Sequence, residues 1–137
     1  MITSTVSYKG GLHTQAVHLK SGTVVETDAP VDNKGKGECF SPTDLCATSL
    51  ATCMLTIMGI LAEEKNLPFA EADAQVTKIM AAEPRRIATI EITISIQDLG
   101  LSEKEKAMLE NAARNCPVAK SLHPDIWQDV RFIFYTR

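Results

Sequence analysis

Clustered positive charge is missing from this chain. Its 14 Lys and Arg are scattered along 137 residues and outnumbered by 17 Asp and Glu, for a net charge of −3. That balance excludes the basic surface with which a protein holds nucleic acid or an anionic membrane. Internal repeats and low-complexity tracts are also absent. A chain of this length with 45% hydrophobic residues buries a core at about two-thirds of its unfolded surface, so one domain over residues 1–137 is expected. Met1-Ile2-Thr3-Ser4 lacks the charged start and apolar run of a signal peptide, and the expected compartment is the reducing cytoplasm.

The four cysteines include no Cys-x-x-Cys pair, which counts against a zinc site. His13 and His18 differ by an odd number, so on one straight strand they face opposite sides. His123 reads as a surface residue before Pro124. The glycines of Gly35-Lys36-Gly37 lack the rest of a phosphate loop, and no serine or carboxylate spacing of a hydrolase stands out. Neither a metal nor a cofactor is expected. In a reducing compartment, the thiols are better read as free or catalytic than as permanent bridges.

The first third of the chain is β-prone. Thr3–Tyr8, Thr14–Leu19 and Thr23–Thr27 are short runs separated by Gly10-Gly11 and Ser21-Gly22, the pattern of an antiparallel meander. Polar Asp32–Gly37 predicts a mobile loop. Ser41-Pro42 then opens a helix with an N-cap and a first-position proline, and Asp44 sits in the first turn. This helix should run to about Lys65, before Pro68. Its uncharged stretch Leu45–Ala62 is 18 residues long, near the lower limit for a membrane span of roughly 17 residues. It is studded with Thr48, Ser49, Thr52, Thr56 and Gly59, which favours a buried core helix. A helix apolar nearly all round needs cover on all sides, and a second subunit is expected to supply it.

Two further strands are predicted over Ala72–Ala82 and Ile87–Gln97, joined by a turn at Pro84-Arg85-Arg86. In the second, Ile90, Ile92, Ile94 and Ile96 alternate with Glu91, Thr93, Ser95 and Gln97, so one face should be core and the other solvated. Ser102 and Glu105 form a capping-box start for a helix ending near Asn115. A short helix from Pro117 and a strand over Trp127–Tyr135 complete an α+β chain with antiparallel pairing.

Two cysteines stand out. At 100° per residue, Cys46, Ser49, Leu50, Cys53, Ile57 and Ile60 share one helical face, which places Cys53 on a buried stripe. Alone it reads as a small core hydrophobe, as does Cys46; Cys39, at the loop exit, stays ambiguous. Cys116 precedes Pro117 at a helix start, where dipole and free N–H groups stabilise a thiolate, with Arg114 and Lys120 nearby. An incidental cap residue is the equally weighted alternative.

Ser41-Pro42-Thr43-Asp44-Leu45, Ala51-Thr52-Cys53 and Cys116-Pro117-Val118-Ala119-Lys120-Ser121-Leu122 together resemble the family of osmotically inducible protein C and organic hydroperoxide resistance proteins (OsmC/Ohr), in its less characterised OsmC-like branch. The resemblance spans nearly the whole chain. It implies an intertwined α+β homodimer, with antiparallel sheets, a long central buried helix and active sites at the subunit interface. It further implies a thiol peroxidase of oxidative-stress defence acting on organic hydroperoxides or hydrogen peroxide. Cys53 would be the peroxidatic thiol and Cys116 the resolving one, with an external dithiol, such as a lipoylated protein, as reductant.

The chain departs from the peroxidase branches in two places. No arginine precedes Cys53, and Thr43 stands where those branches carry a glutamate ten residues before the peroxidatic cysteine. Glu38, in the preceding loop, and Thr43 itself are the candidate replacements; Asp44 lies about 180° around the helix from Cys53. Arg85 and Arg86 are the candidate cations. These departures motivate an alternative function, a non-enzymatic small-ligand-binding stress-response module of the same fold.

Overall fold

Short β-prone runs and left-handed glycines build the first sheet. The computed structural model covers residues 1–137 and divides into two compact units, Met1–Cys46 and Ala47–Arg137. In the first unit, β1 (Ser4–Gly10), β2 (His13–His18) and β3 (Val24–Asp28) form an antiparallel meander. The β1–β2 reversal runs through Gly10 and Gly11 at φ 85° and 61°, a region where only glycine is unstrained.

After β3, the segment expected to be a mobile loop is folded back and hydrogen-bonded. A 3-10 turn spans Val31–Asn33; the Gly35 N–H donates to the Pro30 carbonyl at 2.9 Å and the Gly37 N–H to the Ala29 carbonyl at 3.2 Å. A Cβ on Gly35 would stand 1.7 Å from the Ala29 carbonyl oxygen, so the fold-back requires glycine. Phe40 then bridges Thr27. The helix α1 (Pro42–Lys65) opens as expected: the Ser41 N–H donates to Asp44 Oδ2 at 2.9 Å, and the Asp44 N–H donates to Ser41 Oγ at 3.0 Å.

In the second unit, α1 buries Ala47, Leu50, Ala51, Met54, Met58 and Ala62. The buried stripe is therefore rotated from the one expected, and Cys53 lies at its border, half-buried. Three alanines on the buried face allow close packing, while Ile60 stays exposed. α1 has the length and apolar composition of a membrane span, but its buried face joins the core cluster containing Ile90, Ile94, Leu109 and Cys116.

That core is backed by β4 (Ala72–Ala81), β5 (Arg86–Gln97) and β6 (Trp127–Tyr135), in that order. Ile90, Ile92, Ile94 and Ile96 are all buried, as their alternation predicts. The opposite face is half-buried rather than solvated, because β5 is the central strand. There Gln75, Thr77, Glu91, Thr93, Asp129 and Arg131 line a polar depression of about 180 Å³. The expectation of antiparallel pairing holds for β4–β5 and fails for β5–β6, which run parallel. Between them α2 (Glu103–Arg114) and α3 (Pro117–Ser121) carry the chain back to the starting end of β5, the crossover a parallel pair needs. α2 has both capping-box bonds, from Ser102 to Glu105 and back. The α+β class stands.

Candidate functional site

Two sequence choices bring Cys53 and Cys116 together. Cys53 is carried at the edge of the buried face of α1, and Cys116 is the N-cap of α3, with extended backbone (φ −65°, ψ 157°) and Pro117 at the first helical position. The Cys116 side chain is 0% exposed, and Cys53 is near enough to act on its thiol. Both are free thiols.

Burial is the largest influence on Cys116 and pushes its thiol up; Cys53 acts in the same direction. The Ala119 and Val118 N–H groups at the head of α3 pull the other way without completing a cap hydrogen bond. The outcome corrects the sequence expectation of a stabilised thiolate at this cap. A five-residue helix offers little dipole, and desolvation of the charged form outweighs it. Cys116 is thus held as a protonated S–H near Cys53.

Two of the candidate cations, Arg114 and Arg86, are engaged with backbone carbonyls. Arg114 donates to the Val130 carbonyl at 3.1 Å and stacks on Phe132 at 5.1 Å from the ring centre. Arg86 donates to the Ala82 and Pro84 carbonyls of its own turn, at 3.1 and 2.9 Å. Glu38 and Thr43 belong to the Met1–Cys46 unit. Glu38 is exposed, and its N–H donates to Asp28 Oδ2 at 3.1 Å. Thr43 Oγ1 lies 3.2 Å from Ser41 Oγ, in the capping turn of α1.

A second cluster escaped the sequence reading. His13 Nδ1 is 2.6 Å from Asp28 Oδ1, and His13 Nε2 is 3.0 Å from Glu26 Oε1. The ligating atoms of His13, Asp28 and Cys39 lie within 4.8 Å of one another. The Asp28 and Glu26 hydrogen bonds raise the imidazole of His13, and His13 in turn lowers the carboxyl of Asp28. Burial, followed by the charges of Asp28 and Glu26, raises the Cys39 thiol. Parity along one strand separates His13 from His18, but says nothing about a residue opposite on β3.

The α+β architecture of two three-stranded sheets with helices is shared with known proteins. The OsmC-like protein family model matches residues 35–131, and the chain belongs to this family. It is 54% identical, over 96% of each chain and with a TM-score of 0.91, to a protein from Psychrobacter arcticus 273-4 provisionally described as an osmotic stress induced and detoxification response protein. The organic hydroperoxide resistance protein OsmC of Legionella pneumophila shares the fold at 16% identity, with a TM-score of 0.76 over 97% of this chain and 98% of that one. The OsmC-like protein of Mycoplasma pneumoniae does so at 18% identity, with a TM-score of 0.76 over 96% of each chain. Comparison with curated proteins gives no match.

Proposed function

We propose that this chain is a thiol-dependent peroxidase of the stress response, reducing organic hydroperoxides or hydrogen peroxide through Cys53 and Cys116. The convergence of Cys53, on α1, and Cys116, at the head of α3, on one core cluster carries the reading. The Cys53 sulfur attacks the O–O bond; an S–O bond forms, the O–O bond breaks, and the leaving alkoxide or hydroxide takes a proton to depart as alcohol or water. Cys116 then attacks the sulfenic acid, expelling water and closing a disulfide. An external dithiol, such as a lipoylated protein, reopens it by thiol exchange. Burial holds the resolving thiol of Cys116 in place within the core cluster that Cys53 packs against.

The working unit proposed is a cytoplasmic homodimer. Val6 and Tyr8 on β1 are 65% and 66% exposed, and every residue of that strand is exposed. An edge strand exposed along its whole length is a surface on which a partner would bury these apolar side chains. A second copy is that partner.

Reduced protein should consume peroxide with dithiothreitol or dihydrolipoamide, and Cys53→Ser should abolish turnover; equal rates in the two proteins would refute the assignment. The alternative, a non-enzymatic small-ligand module, is favoured by the cleft of about 420 Å³ between Gly59, Ala62 and Phe69. It predicts ligand-induced thermal shifts that persist when both cysteines are replaced.

A further inference from the structure

The β2–β3 register sets His13 directly opposite Asp28, and the fold-back after β3 delivers Cys39 to the same point. We propose that His13, Asp28 and Cys39 form a binding site for a divalent cation of the zinc class, with a fourth position open to a cleft of about 430 Å³.

The distances suit that ion. Zinc holds N, O and S ligands at roughly 2.0 to 2.3 Å, which puts tetrahedral ligand atoms about 3.3 to 3.8 Å apart. The three donors here already lie within 4.8 Å of one another, and the 2.6 Å contact between His13 and Asp28 has to open by under about 1 Å for the ion to replace the shared hydrogen. The donor set has the right chemistry. Calcium and magnesium select oxygen alone, whereas one thiolate, one imidazole and one carboxylate select a borderline-soft ion. Cys39 thiolate and Asp28 carboxylate neutralise its two positive charges.

Orientation of the ligands is also provided. With its hydrogen on Nε2, His13 donates to Glu26 Oε1 at 3.0 Å and turns the Nδ1 lone pair toward Asp28. This is the carboxylate–histidine support found behind metal-bound imidazoles. Asp28 Oδ2 accepts the Glu38 N–H at 3.1 Å, which leaves Oδ1 for the ion. Gly35 and Gly37 make possible the fold-back that returns Cys39, so the ion would pin the end of this loop to the meander.

Reduced full-length protein titrated with Co²⁺ should bind one equivalent and develop a thiolate-to-cobalt charge-transfer band, which Zn²⁺ then removes. Cys39→Ser should abolish the band and Cys46→Ser should leave it. Glu26→Gln, which keeps all three ligands, should weaken Co²⁺ binding about 10- to 100-fold. No band in the wild type, a band that survives Cys39→Ser, or unchanged affinity in Glu26→Gln would each overturn the site. Neither Cys53 nor Cys116 takes part, so peroxidase activity and metal binding stand or fall separately.

Discussion

Replacing Cys116 by alanine separates the two chemical steps assigned to the cysteine pair. The wild-type chain has four free thiols. One equivalent of peroxide, passed through Cys53 and resolved by Cys116, should consume two of them and lower the protein mass by two hydrogens. In Cys116→Ala three thiols remain, only Cys53 reacts, and the protein should instead gain one oxygen as a sulfenic acid. The residual thiol count is two in both cases, 4 − 2 and 3 − 1, so mass and sulfenate trapping, not thiol titration, make the distinction. The variant should fold. Cys116 is 0% exposed, and removing its sulfur costs about 1 kcal/mol of transfer with roughly 1 more for the small cavity, well below a typical stability of about 5 to 15 kcal/mol. Intact-protein mass spectrometry after stoichiometric peroxide, with a thermal melt alongside, is the assay. A two-hydrogen loss that persists in Cys116→Ala would refute the pairing, as would an oxygen adduct in the wild type that never closes to a disulfide.

Three further outcomes follow from the fold. Ile94→Ala, at a fully buried position of β5, should cost about 2 to 5 kcal/mol in denaturant titrations. Ser41→Ala removes the oxygen that accepts the Asp44 N–H and should cost about 1 kcal/mol, measured by calorimetry. The Asp98 carboxyl is lowered from 3.8 to about 2, first by the Leu101 N–H, then by Lys106 and the Gly100 N–H. A carboxyl depressed in the fold stabilises above its unfolded value and loses that contribution as pH falls. Asp98→Asn should therefore melt below the wild type at pH 7, and the gap should close between about pH 4 and pH 2; a gap unchanged across that range would exclude the carboxylate as its source.

Local chemistry was readable where one residue type decides the outcome. Isoleucine at every second position set the buried face of β5, Ser102 with Glu105 set the start of α2, and the Cys116-Pro117 step set the cap of α3. The face of α1 was not readable, because apolar and small residues surround the helix and no polar side contrasts with them. The solvation of Glu91 and Thr93 depends on β6 lying beside β5, and that parallel neighbour arrives from far along the chain. The His13, Asp28 and Cys39 cluster depends on register and on a loop turned by glycine. Neither leaves a mark in residue spacing. The meeting of Cys53 with Cys116 was implied by family resemblance, not by any pattern within the chain.

The parallel seat of β6 also orders events during synthesis. The β1–β3 meander can zip from its turns as soon as those turns exist. β5, by contrast, pairs on one side with the adjacent β4 and on the other with β6, which follows only after α2 and α3. Its isoleucines have an unfinished edge until β6 has been made, and such distant pairing is slow. The second unit should therefore be the late and vulnerable half of folding, with the edge of β5 as the surface a chaperone would have to shield.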